Sequence, residues 1–198
     1  MEIRELSLQE MEKLYGERME ADFPPEELRP FSSIRELTGE GKYKSFGCFE
    51  EGLGAYGTFA FSPGRSGVLL DYFAVDAGRR GQGIGTRGLR MLGEAARGLG
   101  AGFLLIEVES LESAETPAQT EERTRRIRFY NGFGCRETAV YSWLFGVEYQ
   151  ILVLPLGDRM PGADEVQESL EQVYQVIVPP LVGESEEAYA QVCRCFRR

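Results

Sequence analysis

The stretch Val75-Asp76-Ala77-Gly78-Arg79-Arg80-Gly81-Gln82-Gly83-Ile84-Gly85-Thr86 constrains this chain more than any other. An apolar run over residues 68–75 leads into it, and a helical pattern follows directly. Four glycines and two arginines therefore sit on a strand-to-helix turn. Glycine lets the backbone approach a ligand closely and adopt conformations that other residues resist. A helix N-terminus adds free N–H groups and a partial positive charge. Together they predict a site for an anion, with phosphate groups as the natural occupant.

Two plainer readings compete. One is an ordinary glycine-rich strand-to-helix connection, although such connections are short and rarely alternate glycines beside arginines. The other is a dinucleotide site, as in a nicotinamide-dependent oxidoreductase. Gly83-Ile84-Gly85-Thr86-Arg87-Gly88 matches G-x-G-x-x-G, and Glu107 follows about 20 residues later. That fingerprint should follow its strand directly, whereas Asp76-Ala77-Gly78-Arg79-Arg80 intervenes here.

Arg80-Gly81-Gln82-Gly83-Ile84-Gly85 resembles the R/Q-x-x-G-x-G/A pyrophosphate loop of the GNAT acetyltransferases. A second segment, Phe129-Tyr130-Asn131-Gly132-Phe133-Gly134-Cys135, is similar to the family's F-Y-x-x-x-G-F, with Cys135 in place of the usual Phe. The order of strand, glycine turn, helix, strand, helix and Phe-Tyr also agrees, and the resemblance spans roughly residues 3–156. It implies an α/β (α+β) fold of the GNAT type: a mixed, mostly antiparallel twisted sheet with a splayed parallel strand pair, flanked by helices. It implies acetyl-CoA as cosubstrate, without a metal. Backbone groups of Phe73, Ala74 and Val75 would pair with the pantetheine arm, and one N–H there would meet the thioester oxygen. The N–H groups of Gly81, Gln82, Gly83, Ile84, Gly85 and Thr86 would hold the pyrophosphate, with Arg80 at the edge. Tyr130 matches the family's general acid, and a neutral phenol, with an ordinary pKa above that of a thiol, can donate a proton. Read without the family match, Tyr130 is an aromatic filling the core. Glu107 lies on the strand that splays from the fourth and is the expected general base, with Glu109 and Asp71 as competitors; each of these acids could equally be a solvated or paired charge. A nucleophilic Cys135 has no histidine to activate it. Two departures stand out: Arg123 and Arg126 occupy positions that often carry Asn and Ala, and the loop before them is longer than usual.

Composition bounds the rest. The chain has 198 residues, 42% hydrophobic and 11% aromatic, enough for a sizeable core. No apolar run is long enough to span a membrane, and the N-terminus lacks a basic start and apolar core, so a cytoplasmic home is expected. Without any histidine, a histidine-bound metal is excluded, and Cys48, Cys135, Cys193 and Cys195 read as free thiols. A net charge of −10 argues against nucleic-acid binding. Arginines nevertheless cluster at 79, 80, 87, 90 and 97, and again at 123, 125, 126 and 128. An acidic protein with local basic clusters suits a polyanionic cofactor and a cationic acceptor. Part of the second cluster also reads as ordinary helix ion pairs, Glu121–Arg125 and Glu122–Arg126.

In chain order, residues 3–6 read as a strand and Ser7-Leu8-Gln9-Glu10 as a capping box opening a helix that Pro24-Pro25 ends. A second helix is expected from Ser32 or Ser33. Phe23, Phe31, Asp22, Glu26 and Glu27 are candidates to line an acceptor pocket. Strands are expected over 42–50, 53–61 and 68–75, with a turn at Ser62-Pro63-Gly64, and then a helix over 84–99. Residues 103–109 form a strand, 110–120 a loop containing Pro117, 121–131 a helix, and 136–145 and 147–156 a strand pair. Residues 157–198 form a helical extension, with helices over 164–178 and 184–196, packed on the domain formed by residues 1–156. The extension could also cover the acceptor site or mediate a homodimer. The expected function is transfer of an acetyl group from acetyl-CoA to a primary amine of a small cationic molecule or peptide. The alternative is a non-catalytic acyl-CoA-binding regulatory protein.

Overall fold

The computed structural model describes residues 1–62, 64, 66–183 and 185–198. Pro63, in the turn expected at Ser62-Pro63-Gly64, and Glu184, the expected start of the last helix, lie outside the described residues. The described strands form one mixed sheet in the order β1-β2-β3-β4-β5-β7-β6-β8. The pair β4–β5 is parallel and the other recorded pairings are antiparallel. The chain divides into two compact units, Met1–Ala60 with Asp71–Ala95, and Phe61–Leu70 with Ala96–Arg198.

In the first unit, β1 (Glu2–Glu5) pairs with β2 (Tyr43–Phe49), which pairs with β3 (Leu53–Ala60). The capping box forms as expected: the Ser7 side chain accepts from the Glu10 N–H, and the Glu10 carboxylate accepts from the Ser7 N–H at 2.9 Å. Helix α1 (Leu8–Leu14) follows. The single helix expected up to Pro24 is instead widened by a π-helical turn, Tyr15–Met19, before the short α2 (Glu20–Asp22). Gly16 lies in the π turn, and the wider winding accompanies complete burial of Met19. Helix α3 (Phe31–Gly39) starts slightly earlier than expected, directly after Pro30, which serves as its N-cap residue. Its Ile34 and Leu37 join Met11, Met19, Tyr56 and Phe59 in the core. Strand β4 (Gly67–Val75) enters this unit at Asp71 and delivers the glycine turn and α4 (Ile84–Gly98). Leu89 and Leu92 give α4 its buried face.

In the second unit, the start of β4 runs parallel to β5 (Phe103–Glu109), from Gly67↔Phe103 to Leu69↔Leu105. Strand β5 then pairs with β7 (Val147–Pro155) along its length, and β7 pairs with β6 (Arg136–Leu144). Phe145 and Gly146 both have positive φ, +47° and +89°, which matches the twist of a two-residue hairpin. The loop expected over 110–120 is a correction: α5 (Pro117–Phe133) opens inside it. Proline is tolerated at the first helical position because its missing N–H would lack a partner there anyway. Thr116 and Gln119 complete a second capping box.

Helix α6 (Ala163–Ile177) buries Val166, Leu170, Val173, Tyr174 and Ile177. It approaches so closely that a Cβ on Gly67 would lie 2.6 Å from Ser169 Cβ and 2.7 Å from the Phe103 ring. Then α7 (Pro179–Val182) and α8 (Glu186–Val192) follow. The last expected helix is also corrected, because Cys193–Arg197 form β8, paired with β6 from Leu144↔Cys193 to Val140↔Arg197. Backbone groups on the outer edge of β6 offer partners that the sequence-local helical pattern ignores. No helix of the described residues is long and apolar enough to cross a membrane.

Candidate active site

In the first unit, the end of β4 is fixed by the Asp76 N–H donating to the Gly54 carbonyl at 2.9 Å. The Asp76 carboxylate caps the next turn by accepting from the Gly78 N–H at 2.9 Å, and it also meets Arg18 at 3.4 Å. Arg80 is extended, Gly81 has φ +78° and Gly83 φ +74°, and α4 begins at Ile84. Alternating positive-φ glycines turn successive N–H groups toward one side, and the first turn of α4 adds N–H groups without intrahelical acceptors. The Gly81 to Thr86 backbone thus fits a phosphate-bearing ligand. Close packing behind it also requires glycine: a Cβ on Gly88 would stand 3.1 Å from Ala55 Cβ. Phe73, Ala74 and Val75 lie immediately upstream on β4.

Sequence reasoning missed Glu50. Its backbone carbonyl accepts from Arg79 Nη1 at 2.5 Å, and its carboxylate accepts from Arg87 Nη2 at 2.5 Å. The Arg87 hydrogen bond holds the Glu50 carboxyl below its ordinary range. The arginine cluster read from the sequence is thereby divided. Arg79 and Arg87 engage Glu50, Arg80 is exposed, and Arg97 in the second unit donates to the Leu156 carbonyl at 2.6 Å. No local pattern signals this use of Glu50, which lies in a β-hairpin distant in sequence.

Asp71 accepts from the Tyr43 hydroxyl at 2.6 Å and lies 3.7 Å from Arg29 Nε, in buried surroundings. The acceptor-pocket candidates also have internal partners. Asp22 accepts from Tyr56 at 2.9 Å, Phe23 meets Tyr72 edge-on, and Phe31 lies beside Tyr15. Glu26 and Glu27 are exposed.

In the second unit, β5 presents Glu107 and Glu109. Both Glu109 oxygens accept from guanidinium groups, Arg123 at 3.0 Å and Arg126 at 3.1 Å. Arg123 is buried and also donates to the Ser110 carbonyl at 2.6 Å and Ser113 Oγ at 3.0 Å. The two arginines that depart from the family pattern thus fasten α5 to the end of β5. The expected pairs Glu121–Arg125 and Glu122–Arg126 form at 3.6 and 3.4 Å. Glu107 Oε1 accepts from the hydroxyl of Tyr174 on α6, and Ser142 Oγ lies 3.5 Å from the same oxygen. Tyr174 was legible only as part of an apolar helix face.

Tyr130 lies in the last turn-and-a-half of α5 and is 8% exposed. Its backbone carbonyl accepts from both Gly134 and Cys135, which closes the helix around the left-handed Gly134. Burial raises the phenol, with a smaller opposing effect from Arg126, so it stays protonated through the neutral range. Burial likewise pushes the Cys135 thiol up to about 12, which leaves it a neutral packing group rather than a nucleophile. All four cysteines are free. Among the described residues, no group of three or more candidate ligands could hold a metal ion.

The profile of the Acetyltransferase (GNAT) family matches residues 8–134, more than half of the chain. The chain belongs to this family, and it is an acetyl-CoA-dependent acyltransferase by class. Among solved structures it resembles a GNAT-family protein from Bacteroides thetaiotaomicron at a TM-score of 0.69 and 21% identity, covering 90% of this chain and 98% of that one. It also resembles the ribosomal-protein-S18-alanine N-acetyltransferase from Escherichia coli, at a TM-score of 0.56 and 20% identity over 82% of this chain and 97% of the other. An aminoglycoside 6'-N-acetyltransferase complexed with coenzyme A aligns at a TM-score of 0.58 and 16% identity, over 81% of this chain and 100% of the other. No curated protein matches.

Proposed function

We propose that this chain transfers an acetyl group from acetyl-CoA to a primary amine of a small cationic molecule or peptide, by direct attack. One observation carries the cofactor half of this reading: Gly81 and Gly83, both at positive φ, lead into the first turn of α4. Acetyl-CoA supplies the activated acetyl group. The N–H groups of Gly81, Gln82, Gly83, Ile84, Gly85 and Thr86 hold its pyrophosphate, with Arg80 at the edge. The backbone of Phe73, Ala74 and Val75 receives the pantetheine arm as an added strand, and one of these N–H groups steadies the charge that develops on the thioester oxygen. Glu107 takes the proton that the acceptor's ammonium must lose to become the attacking amine, and Tyr130 donates one to the departing thiolate. A buried phenol is a weaker acid than an exposed one. A thiolate formed in similar surroundings is a correspondingly stronger base, as the raised Cys135 thiol illustrates. Glu109 and Asp71 are poorer candidates for the base, since arginines hold the first and Tyr43 with Arg29 the second.

The acceptor half rests on charge and on the relatives. The net charge of −10 favours a cationic acceptor. Two structural neighbours are named for alanine of a ribosomal protein and for an aminoglycoside, both amine acceptors. Four free thiols support a reducing, cytoplasmic setting. The test is calorimetric titration with acetyl-CoA, followed by CoA-thiol release across a panel of polyamines, aminoglycosides and peptides. Tight acetyl-CoA binding with turnover of at least one amine is expected. Tyr130→Phe should bind acetyl-CoA as before while the transfer rate falls by about 10²–10⁴-fold, the usual worth of a general acid. Binding without turnover of any amine would instead identify an acyl-CoA-binding regulatory protein.

A further inference from the structure

Helix α6 lies wholly beyond the segment that the family profile matches, yet it sends a phenol to the carboxylate assigned as the base. Tyr174 and Ser142 are both fully buried, and their oxygens are 2.8 Å apart. Glu107 on β5 is half-buried. The two hydroxyls come from different elements, α6 and β6, and converge on one oxygen of Glu107. An ionised carboxylate only accepts hydrogen bonds, so the phenol proton points to Glu107 and the serine hydroxyl completes the triad.

We propose that Tyr174 is a positioning residue for Glu107, fixing the orientation of its carboxylate and holding it in the ionised, proton-accepting form. Its importance for catalysis rests on the reading of Glu107 as the base. Through Tyr174, the C-terminal extension contributes to the reaction centre rather than only covering the sheet.

The surroundings explain why such a donor is needed. Glu171 on α6 and Cys193 and Cys195 on β8 are close enough to interact electrostatically with one another, and both thiols also interact with Glu107. Tyr189 on α8 bonds Cys193, and the β7 neighbour of Glu107 in register is the apolar Ile151. Partial burial opposes a charge on Glu107, whereas a donated hydrogen bond favours it. Burial, reinforced by the Glu107 charge, raises the Tyr174 phenol well above its ordinary value. The phenol therefore remains a donor throughout the working pH range.

The test compares wild type, Tyr174→Phe and Glu107→Gln. Carboxyl carbons of glutamate are labelled and titrated by NMR, with Glu107→Gln assigning the resonance. The Glu107 midpoint should rise by about one pH unit in Tyr174→Phe, the effect of losing one hydrogen bond to a charged group. The acid limb of kcat for the best amine should move by the same amount, with KM for acetyl-CoA unchanged. A midpoint that stays put in folded Tyr174→Phe overturns the proposal, whether or not the enzyme is active. A drop in kcat with an unmoved acid limb also overturns it, since that is the mark of a merely structural loss. Should Tyr174→Phe fail to fold, Ser142→Ala decides in its place, with a raised midpoint supporting the triad and an unchanged one overturning it. A wild type that acetylates no amine, with the midpoint still shifted in Tyr174→Phe, supports the contact and sinks the catalytic reading of Glu107 instead.

Discussion

Single positions separate clearly into those whose neighbours speak for them and those whose partners are remote. Gly83 belongs to the first kind. Its place between Gly81 and Gly85, just before a helical pattern, allows a backbone that turns left-handed, and its φ is +74°. Gly83→Val should therefore lower stability by about 1–2 kcal/mol, the strain of a left-handed side-chain-bearing residue. It should also weaken acetyl-CoA binding on the order of tenfold, equivalent to about 1.4 kcal/mol. Thermal unfolding and calorimetry measure the two effects; unchanged affinity in a destabilised variant would remove the turn from the cofactor site. Glu107 and Glu50 belong to the second kind. Each reads locally as one more acid, but Tyr174 reaches Glu107 across 67 positions of sequence and Arg87 reaches Glu50 across 37. Arg123 was visible as one of a basic cluster and as a departure from the family pattern. Its role became clear once Ser110, Ser113 and Glu109 were seen around it.

At the level of elements, start signals were legible because they are local. Ser7 and Glu10 sit three residues apart, and the box they form opens α1. Arg4 and Ser7 together hold the Glu10 carboxyl down to about 2, against an ordinary 4.5. A depressed acid contributes stability above its unfolded value and loses it as the pH falls through the folded one. The stability difference between wild type and Glu10→Gln should therefore be constant above about pH 4.5 and shrink as the pH approaches about 2. Chemical denaturation at a series of pH values measures it, and a difference independent of pH in that window would contradict the cap. The same locality explains the two errors. Pro117 was read as a breaker, although Thr116 and Gln119 beside it make it a helix opener. Cys193–Arg197 were read as the end of a helix, because the β6 edge that recruits them lies some fifty residues away in sequence.

For the whole molecule, the question is what residues 157–198 contribute. Val166, Leu170, Val173, Tyr174 and Ile177 are almost completely buried, and each large side chain of this kind contributes about 1.5–3 kcal/mol. Together they amount to about the entire stability of an ordinary domain, 5–15 kcal/mol. A chain ended at residue 161 should accordingly lose cooperative unfolding, as followed by circular dichroism against temperature. A truncated chain with a sharp transition and native sheet signal would mark the extension as dispensable. The sequence by itself determined the elements whose causes are short-ranged. These are the strand periodicities, the Ser7–Glu10 capping box, the helix-ending glycines and the glycine turn, because backbone conformation responds chiefly to nearby residues. Only the tertiary structure decided that β8 completes the sheet, that Glu50 engages the arginines beside the turn, and that Tyr174 faces Glu107. Those contacts depend on which distant side chains come within hydrogen-bonding reach, and that reach is created by burial and strand register rather than by spacing along the chain.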